Sequence, residues 1–183
     1  MILMTIHVWK RFYESHYVTI YSQARISFLL YIIGLVHYSM LVSTIVGESY
    51  GFVRGFHKSF QFNKFATTYN IICSVVMLMA TYEQFRTNII LVNLRKNKTE
   101  EILCNSYKLP TGRLFDFIST PLQFTEIVIY LTLTAILWEN STIHYISMWV
   151  FMNQMANGFF QHQWYKQNFE NYPNRKIIIP FIW

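Results

Sequence analysis

The stretch ISFLLYIIGLVHYSMLVSTIV, residues 26–46, contains no charged side chain. A membrane-spanning helix needs about 20 mostly apolar residues, so the length and composition of this stretch predict a helix that crosses a bilayer. The rest of the chain has a similar character, because 53% of its 183 residues are hydrophobic, 19% are aromatic and 13% are charged. Soluble domains carry about 25% charged residues, and we therefore expect an integral membrane protein.

Three further apolar stretches follow, at residues 65–92, 121–138 and 145–160, and residues 1–22 have the pattern of the last part of a helix. The four long stretches predict an all-α membrane bundle of about four full spans, preceded by a partial N-terminal helix. We expect residues 1–183 to form a single membrane domain.

Basic residues set the predicted orientation, because Lys and Arg collect on the cytoplasmic side of membranes. The net charge is +6, and five basic residues lie in the loop at residues 93–120. We therefore expect this loop and the C-terminus in the cytosol, although the basic residues of the loop at 47–64 count against this orientation. A nucleic-acid partner is not expected, because the sequence has no soluble module with a basic face. The two cysteines, Cys73 and Cys104, have no metal-ligand spacing, and no metal site is expected.

Several polar side chains interrupt the apolar stretches, notably near the end of the second stretch, around Glu126 in the third, and late in the fourth. A charged or amide group in hydrocarbon costs several kcal/mol, so it normally faces a cavity, a partner or a ligand. Asn153, Asn157 and Gln161 are four residues apart and share one helix face. Two interpretations remain open: these groups hydrogen-bond helix to helix, or they line a polar ligand site. A ligand with phosphate groups would also account for the basic loop.

Several motifs in this order resemble the steroid 5α-reductase family. The segment HVWKRFYE at 7–14 is similar to a His-x-x-[Lys/Arg]-Arg-x-x-Glu segment of that family. The C-terminal half of the family is resembled by NLRKNK at 93–98, YKLPTGRLFDFISTP at 107–121 and NQMANGFFQHQWYKQNFENYPNRKIIIPFIW at 153–183. The similarity is strongest over residues 82–183, which we interpret as the C-terminal, cofactor-binding reductase region. The residues of these motifs are most similar to those of the polyprenol reductase branch.

The resemblance implies a multi-pass enzyme of the endoplasmic reticulum membrane with a seven-helix fold. Members of the family use NADPH to reduce a carbon–carbon double bond next to a carbonyl. The polyprenol branch saturates the α-isoprene unit of polyprenal or polyprenol on the way to dolichol, the lipid carrier of protein N-glycosylation. The expected partners are thus a long-chain polyprenoid and membrane lipids, while the oligomeric state stays open.

The resemblance also assigns roles to individual residues. Glu126 is expected near the nicotinamide, with a catalytic role that it shares with His7; the alternative for His7 is a side chain packed against neighbouring helices. The cofactor-binding residues implied by the motifs are Gln84, Asn88, Arg95, Lys96, Tyr107, Glu126, His162, Tyr165 and Arg175.

Two departures from the family pattern keep other functions open. Relatives usually have Asn where this chain has Leu122, and many have Tyr where this chain has Val8 directly after His7. Relatives also have further helices upstream, so we expect the chain alone to be a weak catalyst or none. The alternatives are a non-catalytic membrane protein that binds a lipid or a partner, or a reductase of a steroid or an enoyl thioester.

Overall fold

The computed structural model describes residues 2–20, 27–47, 67–95 and 107–179, and no strand occurs within these ranges. The prediction of an all-α chain is confirmed for this part. A π-helical turn, Glu14–Val18, follows the first helix, and a short 3₁₀ turn, Arg113–Asp116, precedes the fourth. The five α-helices are α1 (Ile2–Tyr13), α2 (Phe28–Gly47), α3 (Thr68–Leu94), α4 (Pro121–Ile136) and α5 (Ser141–Asn168).

The helices begin where the sequence offers suitable terminal residues. Thr67 precedes α3 in extended conformation, and its side chain accepts a hydrogen bond from the backbone N–H of Asn70. Pro121 is the first residue of α4, a position where the missing N–H costs nothing because it would have no helical partner.

The helices α2 to α5 coincide with the four apolar stretches of the sequence. Among the described residues, α2 is the one helix whose length and composition suit a membrane span. Polar and charged residues such as Glu83 and Arg86 interrupt α3, and α4 is shorter than a full span. The number of spans therefore stays a prediction.

The helix α4 lies at the centre of the bundle, packed against α3 on one side and α5 on the other. The α2 helix packs on α5, and α1 packs on α3. Their contacts bury an apolar core that includes Leu41, Met77, Ile129, Ile143 and Val150. Helix α2 leaves many large apolar side chains exposed, as a helix in contact with lipid does.

The segment after α5 folds back over the start of α4. Lys176 pairs with Ile118 in a parallel bridge, and the N–H of Ser119 donates to the Lys176 carbonyl at 2.8 Å. Gly158 makes this close approach possible, because a Cβ atom there would lie 2.4 Å from Cδ1 of the fully buried Ile178. The end of the described chain is thus fixed against both α4 and α5.

The turn at residues 110–116 is held against α3 by an ion pair. Gly112 and Arg113 have positive φ angles of 92° and 55°, and the Gly112 N–H donates to Oδ1 of Asp116 at 2.7 Å. The Arg113 guanidinium donates to both carboxylate oxygens of Glu83, with Nε at 3.1 Å from Oε2. These hydrogen bonds raise the pKa of Arg113 above its usual value. The turn therefore has a defined position beside the C-terminal half of α3.

Candidate functional site

A cavity of about 330 Å³ lies between the C-terminal part of α3 and the C-terminal part of α5; we call it the α3–α5 cavity. Its size is within the range of small-molecule sites, roughly 300–1,000 Å³. Four of the predicted cofactor-binding residues, Asn88, Arg95, Tyr107 and Tyr165, line it together. The other lining residues are Thr19, Ile20, Leu91, Val92, Leu94, Lys108, Pro110, Gln161 and Trp164.

The outer part of the α3–α5 cavity combines positive charge with aromatic surface. Arg95 and Lys108 supply the cations, and Arg95 donates a hydrogen bond to the carbonyl of Ile20 in the segment after α1. The rings of Tyr107 and Trp164 meet edge to face at 5.0 Å between centroids. Tyr107 is 76% exposed, so its ring and hydroxyl are accessible to a ligand.

The inner part of the cavity is lined by amide and phenol groups whose orientation is fixed. Gln123 on α4 donates from Nε2 to Oε1 of Gln161 at 3.0 Å, and Gln161 donates from Nε2 to the Tyr165 hydroxyl at 3.1 Å. Burial raises the pKa of Tyr165, which lies beyond the predicted span at 145–160. The phenol therefore stays protonated and keeps an O–H available to donate.

Gln161 is a site residue that the motif comparison did not assign. The sequence placed it on a polar face with Asn153 and Asn157, and of these three Gln161 lines the cavity while the other two are exposed. Gln161 is four residues before Tyr165 on the same helix, so the two share a helix face. This spacing is the sequence feature that could have identified Gln161. Thr19 and Ile20 also line the cavity, and nothing in the sequence pattern indicated them.

A second group of site residues lies where α1, α3 and α4 meet. Gln84, which is 2% exposed, donates from Nε2 to Oε2 of Glu126 and accepts at Oε1 from Nζ of Lys10. We call these three side chains the Lys10–Gln84–Glu126 network. Gln84 and Asn88 are four residues apart on α3, so the network lies one helical turn from the α3–α5 cavity. The structure thus brings the predicted residues Gln84 and Glu126 into direct contact.

His7 is buried on α1, with 2% of its surface exposed, and its Nδ1 atom has no hydrogen-bond partner among the described residues. Val8, the residue after it, does not lie at the network. It lines a small apolar cavity of about 200 Å³ between α1 and α2. Leu122, which replaces the expected Asn, is half-buried on α4, four residues before Glu126.

His162 and Arg175 do not line the α3–α5 cavity. The His162 ring atom Nδ1 lies 2.6 Å from the hydroxyl of Ser119, which also accepts a hydrogen bond from Tyr172 at 2.6 Å. Burial lowers the pKa of His162, so the ring is neutral and its Nδ1 suits a hydroxyl partner. Arg175 is buried and donates from Nη1 to the carbonyl of Pro110 at 2.8 Å. Arg175 thus ties the C-terminal segment to the turn at Pro110, and His162 ties α5 to Ser119 just before α4.

The remaining predicted residue, Lys96, lies outside the described residues, so its position relative to the cavity stays a prediction. Within the described ranges, no group of three or more His, Cys, Asp or Glu side chains is placed to hold a metal ion.

Comparison with known proteins adds an independent observation. A family model described as 3-oxo-5-alpha-steroid 4-dehydrogenase matches residues 24–183. A polyprenal reductase of Drosophila melanogaster is 35% identical over 184 residues, which cover 98% of this chain and 56% of that protein. Polyprenal reductases of Homo sapiens and Caenorhabditis elegans are each 28% identical, and the matches cover 100% of this chain and 58% and 59% of those proteins. The chain thus spans little more than half the length of these curated relatives.

Proposed function

The chain belongs to the 3-oxo-5-alpha-steroid 4-dehydrogenase family, the steroid 5α-reductase family of the sequence motifs, and we propose that it forms the cofactor-binding part of a polyprenal reductase. In this proposal the enzyme is an oxidoreductase that uses NADPH to saturate the α-isoprene unit of polyprenal in dolichol synthesis. The substrate class is proposed from the polyprenal reductases of fruit fly, human and nematode, which match the chain over almost all of its length.

The observation that carries the proposal is the convergence of Asn88, Arg95, Tyr107 and Tyr165 on one cavity. The chemistry of the side chains that line this cavity fits a dinucleotide in three respects. The guanidinium of Arg95 suits a phosphate group, the exposed aromatic surface suits a base, and the amide and phenol groups suit ribose hydroxyls. A negatively charged cofactor with both sugar and base is a better match to this set than an apolar lipid.

The Lys10–Gln84–Glu126 network would act at the reacting end of the cofactor. When bound, NADPH supplies a hydride to the carbon β to the substrate aldehyde. The Gln84 amide holds one oxygen of Glu126, and the other carboxylate oxygen would hold the nicotinamide carboxamide. Cofactor orientation and electrostatic stabilisation are the usual contributions of a protein to such a reaction.

Reduction of the double bond also requires a proton at the carbon α to the aldehyde and stabilisation of the developing negative charge on oxygen. His7 is buried beside the network and keeps Nδ1 without a partner in the described chain. We assign His7 to this end of the reaction, as the residue that hydrogen-bonds the substrate oxygen.

The proposed location is the endoplasmic reticulum membrane, with several spans and with the loop at residues 93–120 in the cytosol. A long polyprenoid stays within the bilayer while a charged dinucleotide enters from water. The α3–α5 cavity lies next to this basic loop, at Arg95 and Tyr107, which suits entry of the cofactor from the cytosolic side.

One alternative is a non-catalytic protein that keeps the cavity but has lost catalysis. Leu122 favours it, because an apolar side chain four residues before Glu126 leaves a polar carboxamide without the hydrogen bonds that Asn would offer. Reduction of a steroid enone or an enoyl thioester is a further alternative, since the family model is named for steroid substrates.

Transfer of deuterium from labelled NADPH distinguishes these functions. The full chain is expressed in membranes from cells that lack polyprenal reductase, and polyprenal, a steroid enone or an enoyl thioester is supplied with NADPH deuterated at the transferred position. We expect slow transfer to polyprenal that is lost in Glu126→Gln. Transfer to the steroid enone or to the enoyl thioester would contradict the polyprenal assignment and favour that other substrate. No transfer to any substrate, with normal NADPH binding, would favour the non-catalytic alternative.

A further inference from the structure

Gln84 is the one side chain of the network that touches both of the others. It lies on α3, accepts from Lys10 on α1 and donates to Glu126 on α4. Three helices therefore meet through a single amide group that is 2% exposed.

The chemistry of the neighbours fixes which way this amide points. A Lys ammonium has three donors and no acceptor, and an ionised carboxylate has only acceptors. Lys10 must therefore face the amide oxygen of Gln84, and Glu126 must face the NH₂ group. If the ammonium were absent, the amide would lose its donor at Oε1 and with it the contact that holds its oxygen in place.

Lys10 is itself held in place by an acid. Its Nζ atom lies 3.4 Å from Oε2 of Glu14, which is 1% exposed and follows α1 in the π-helical turn. Arg11 also lies 3.4 Å from the same oxygen. The side chain of Lys10 is only 12% exposed, so its ammonium is directed inwards between Glu14 and Gln84.

We propose that Lys10 is a positioning residue for Glu126, acting through the amide of Gln84. Lys10 fixes the orientation of the Gln84 amide, and the amide holds Oε2 of Glu126. The second carboxylate oxygen is left for the nicotinamide end of the cofactor. This inference rests on the proposed function for the identity of the ligand, while the Lys10–Gln84–Glu126 contacts themselves do not depend on it.

Two ligands separate positioning from general structural support. The full chain in lipid nanodiscs is titrated with NADPH and with adenosine 2′,5′-bisphosphate, which lacks the nicotinamide. We expect Lys10→Met to weaken NADPH binding about tenfold, as for loss of a hydrogen bond to a charged group, and to leave binding of the bisphosphate unchanged. Lys10→Arg keeps a charged donor and should restore most of the NADPH affinity. Equal loss for both ligands, or no loss for NADPH, would overturn the proposal.

A second measurement does not require any cofactor. Unfolding midpoints are compared for Lys10→Met, Glu126→Gln and the double variant, first with Gln84 present and then in a Gln84→Met background. If Lys10 acts through the amide, the effects of Lys10→Met and Glu126→Gln on stability are non-additive when Gln84 is present. In the Gln84→Met background the two effects become close to additive. The same coupling between the two substitutions in both backgrounds would refute the proposal that Lys10 acts through the amide. If the unsubstituted chain bound no NADPH, the proposed function would fail, and this cycle would still decide the role of Lys10.

Discussion

The two parts of the candidate site are built in opposite ways. In the Lys10–Gln84–Glu126 network, the buried amide of Gln84 binds two half-buried charged groups across three helices, and their positions are set before any ligand arrives. In the α3–α5 cavity, Tyr107 is mostly exposed and Arg95 is exposed directly after the end of α3, so both side chains are accessible to a ligand. In our proposal, the network therefore fixes the geometry of the reacting groups and the cavity supplies affinity for the cofactor.

A third region, the segment after α5, supports the cavity without lining it. The C-terminal segment carries Arg175, which holds the carbonyl of Pro110 behind the cavity, and Ile178, which packs on Gly158. Its role follows from its contacts, because it positions Pro110, which lines the cavity three residues after Tyr107.

The largest expected effect on stability comes from breaking the buried network at its centre. Gln84→Leu removes the partner that Lys10 and Glu126 share. Lys10 keeps its ion pair with Glu14, whereas the half-buried carboxylate of Glu126 loses its amide donor, and an unsatisfied buried group costs about 1–3 kcal/mol, more if it is charged. We expect the free energy of unfolding to fall by roughly 3 kcal/mol or more, as measured by denaturant titration in detergent. Gln167→Leu, at an exposed position on α5, is the control. Equal stability of the two variants would show that the network does not fix the geometry.

The opposite pattern is expected on the cavity side. Arg95→Ala should weaken NADPH binding by about 1.5–3 kcal/mol, the contribution of a hydrogen bond to a charged phosphate, and should leave the unfolding midpoint almost unchanged. Arg86→Ala is a matched control, because Arg86 is exposed on the same helix and does not line the cavity. Calorimetric titration of both variants checks the prediction. A loss of affinity shared by the control would reflect general charge and not a phosphate site.

A smaller effect is expected from the contact between Gly158 and the C-terminal segment. Gly158→Ala places a methyl group where Ile178 packs, and such overpacking costs about 1–3 kcal/mol. The segment from Tyr107 to Pro110 should loosen as a consequence, so NADPH affinity should decrease together with stability. A Gly34→Ala variant, with open space around the added methyl group, provides the comparison. Unchanged affinity despite lower stability would separate the C-terminal segment from the site.

The smallest effect is expected at the ion pair between Arg113 and Glu83. Both side chains are partly exposed, at 38% and 30%, and exposed ion pairs contribute little because water and salt screen them. Arg113→Ala should leave the unfolding midpoint and the NADPH affinity within experimental error of the unsubstituted chain. A clear loss of affinity would show that the ion pair is needed to position the turn.

The sequence predicted the helices well because long apolar runs leave few alternatives to a helix. It left open whether the polar groups late in α3 and α5 hydrogen-bond helix to helix or line a ligand site, and Asn88 and Gln161 do line one cavity. Lys10 could not be recognised as a partner of Gln84, since the two are 74 positions apart and their contact depends on how α1 packs against α3. The contacts of His162 with Ser119 and of Arg175 with Pro110 are tertiary features for the same reason. Motif matching alone does not separate such supporting residues from those that line the cavity.

The central claim, that a nucleotide occupies the α3–α5 cavity, is tested most directly by hydrogen–deuterium exchange of the full chain in nanodiscs with and without NADPH. The account predicts slower exchange with NADPH at backbone amides of residues 107–112, which cover the cavity, and no change in the middle of α2. Protection confined to other parts of the chain, or no protection at saturating NADPH, would contradict it.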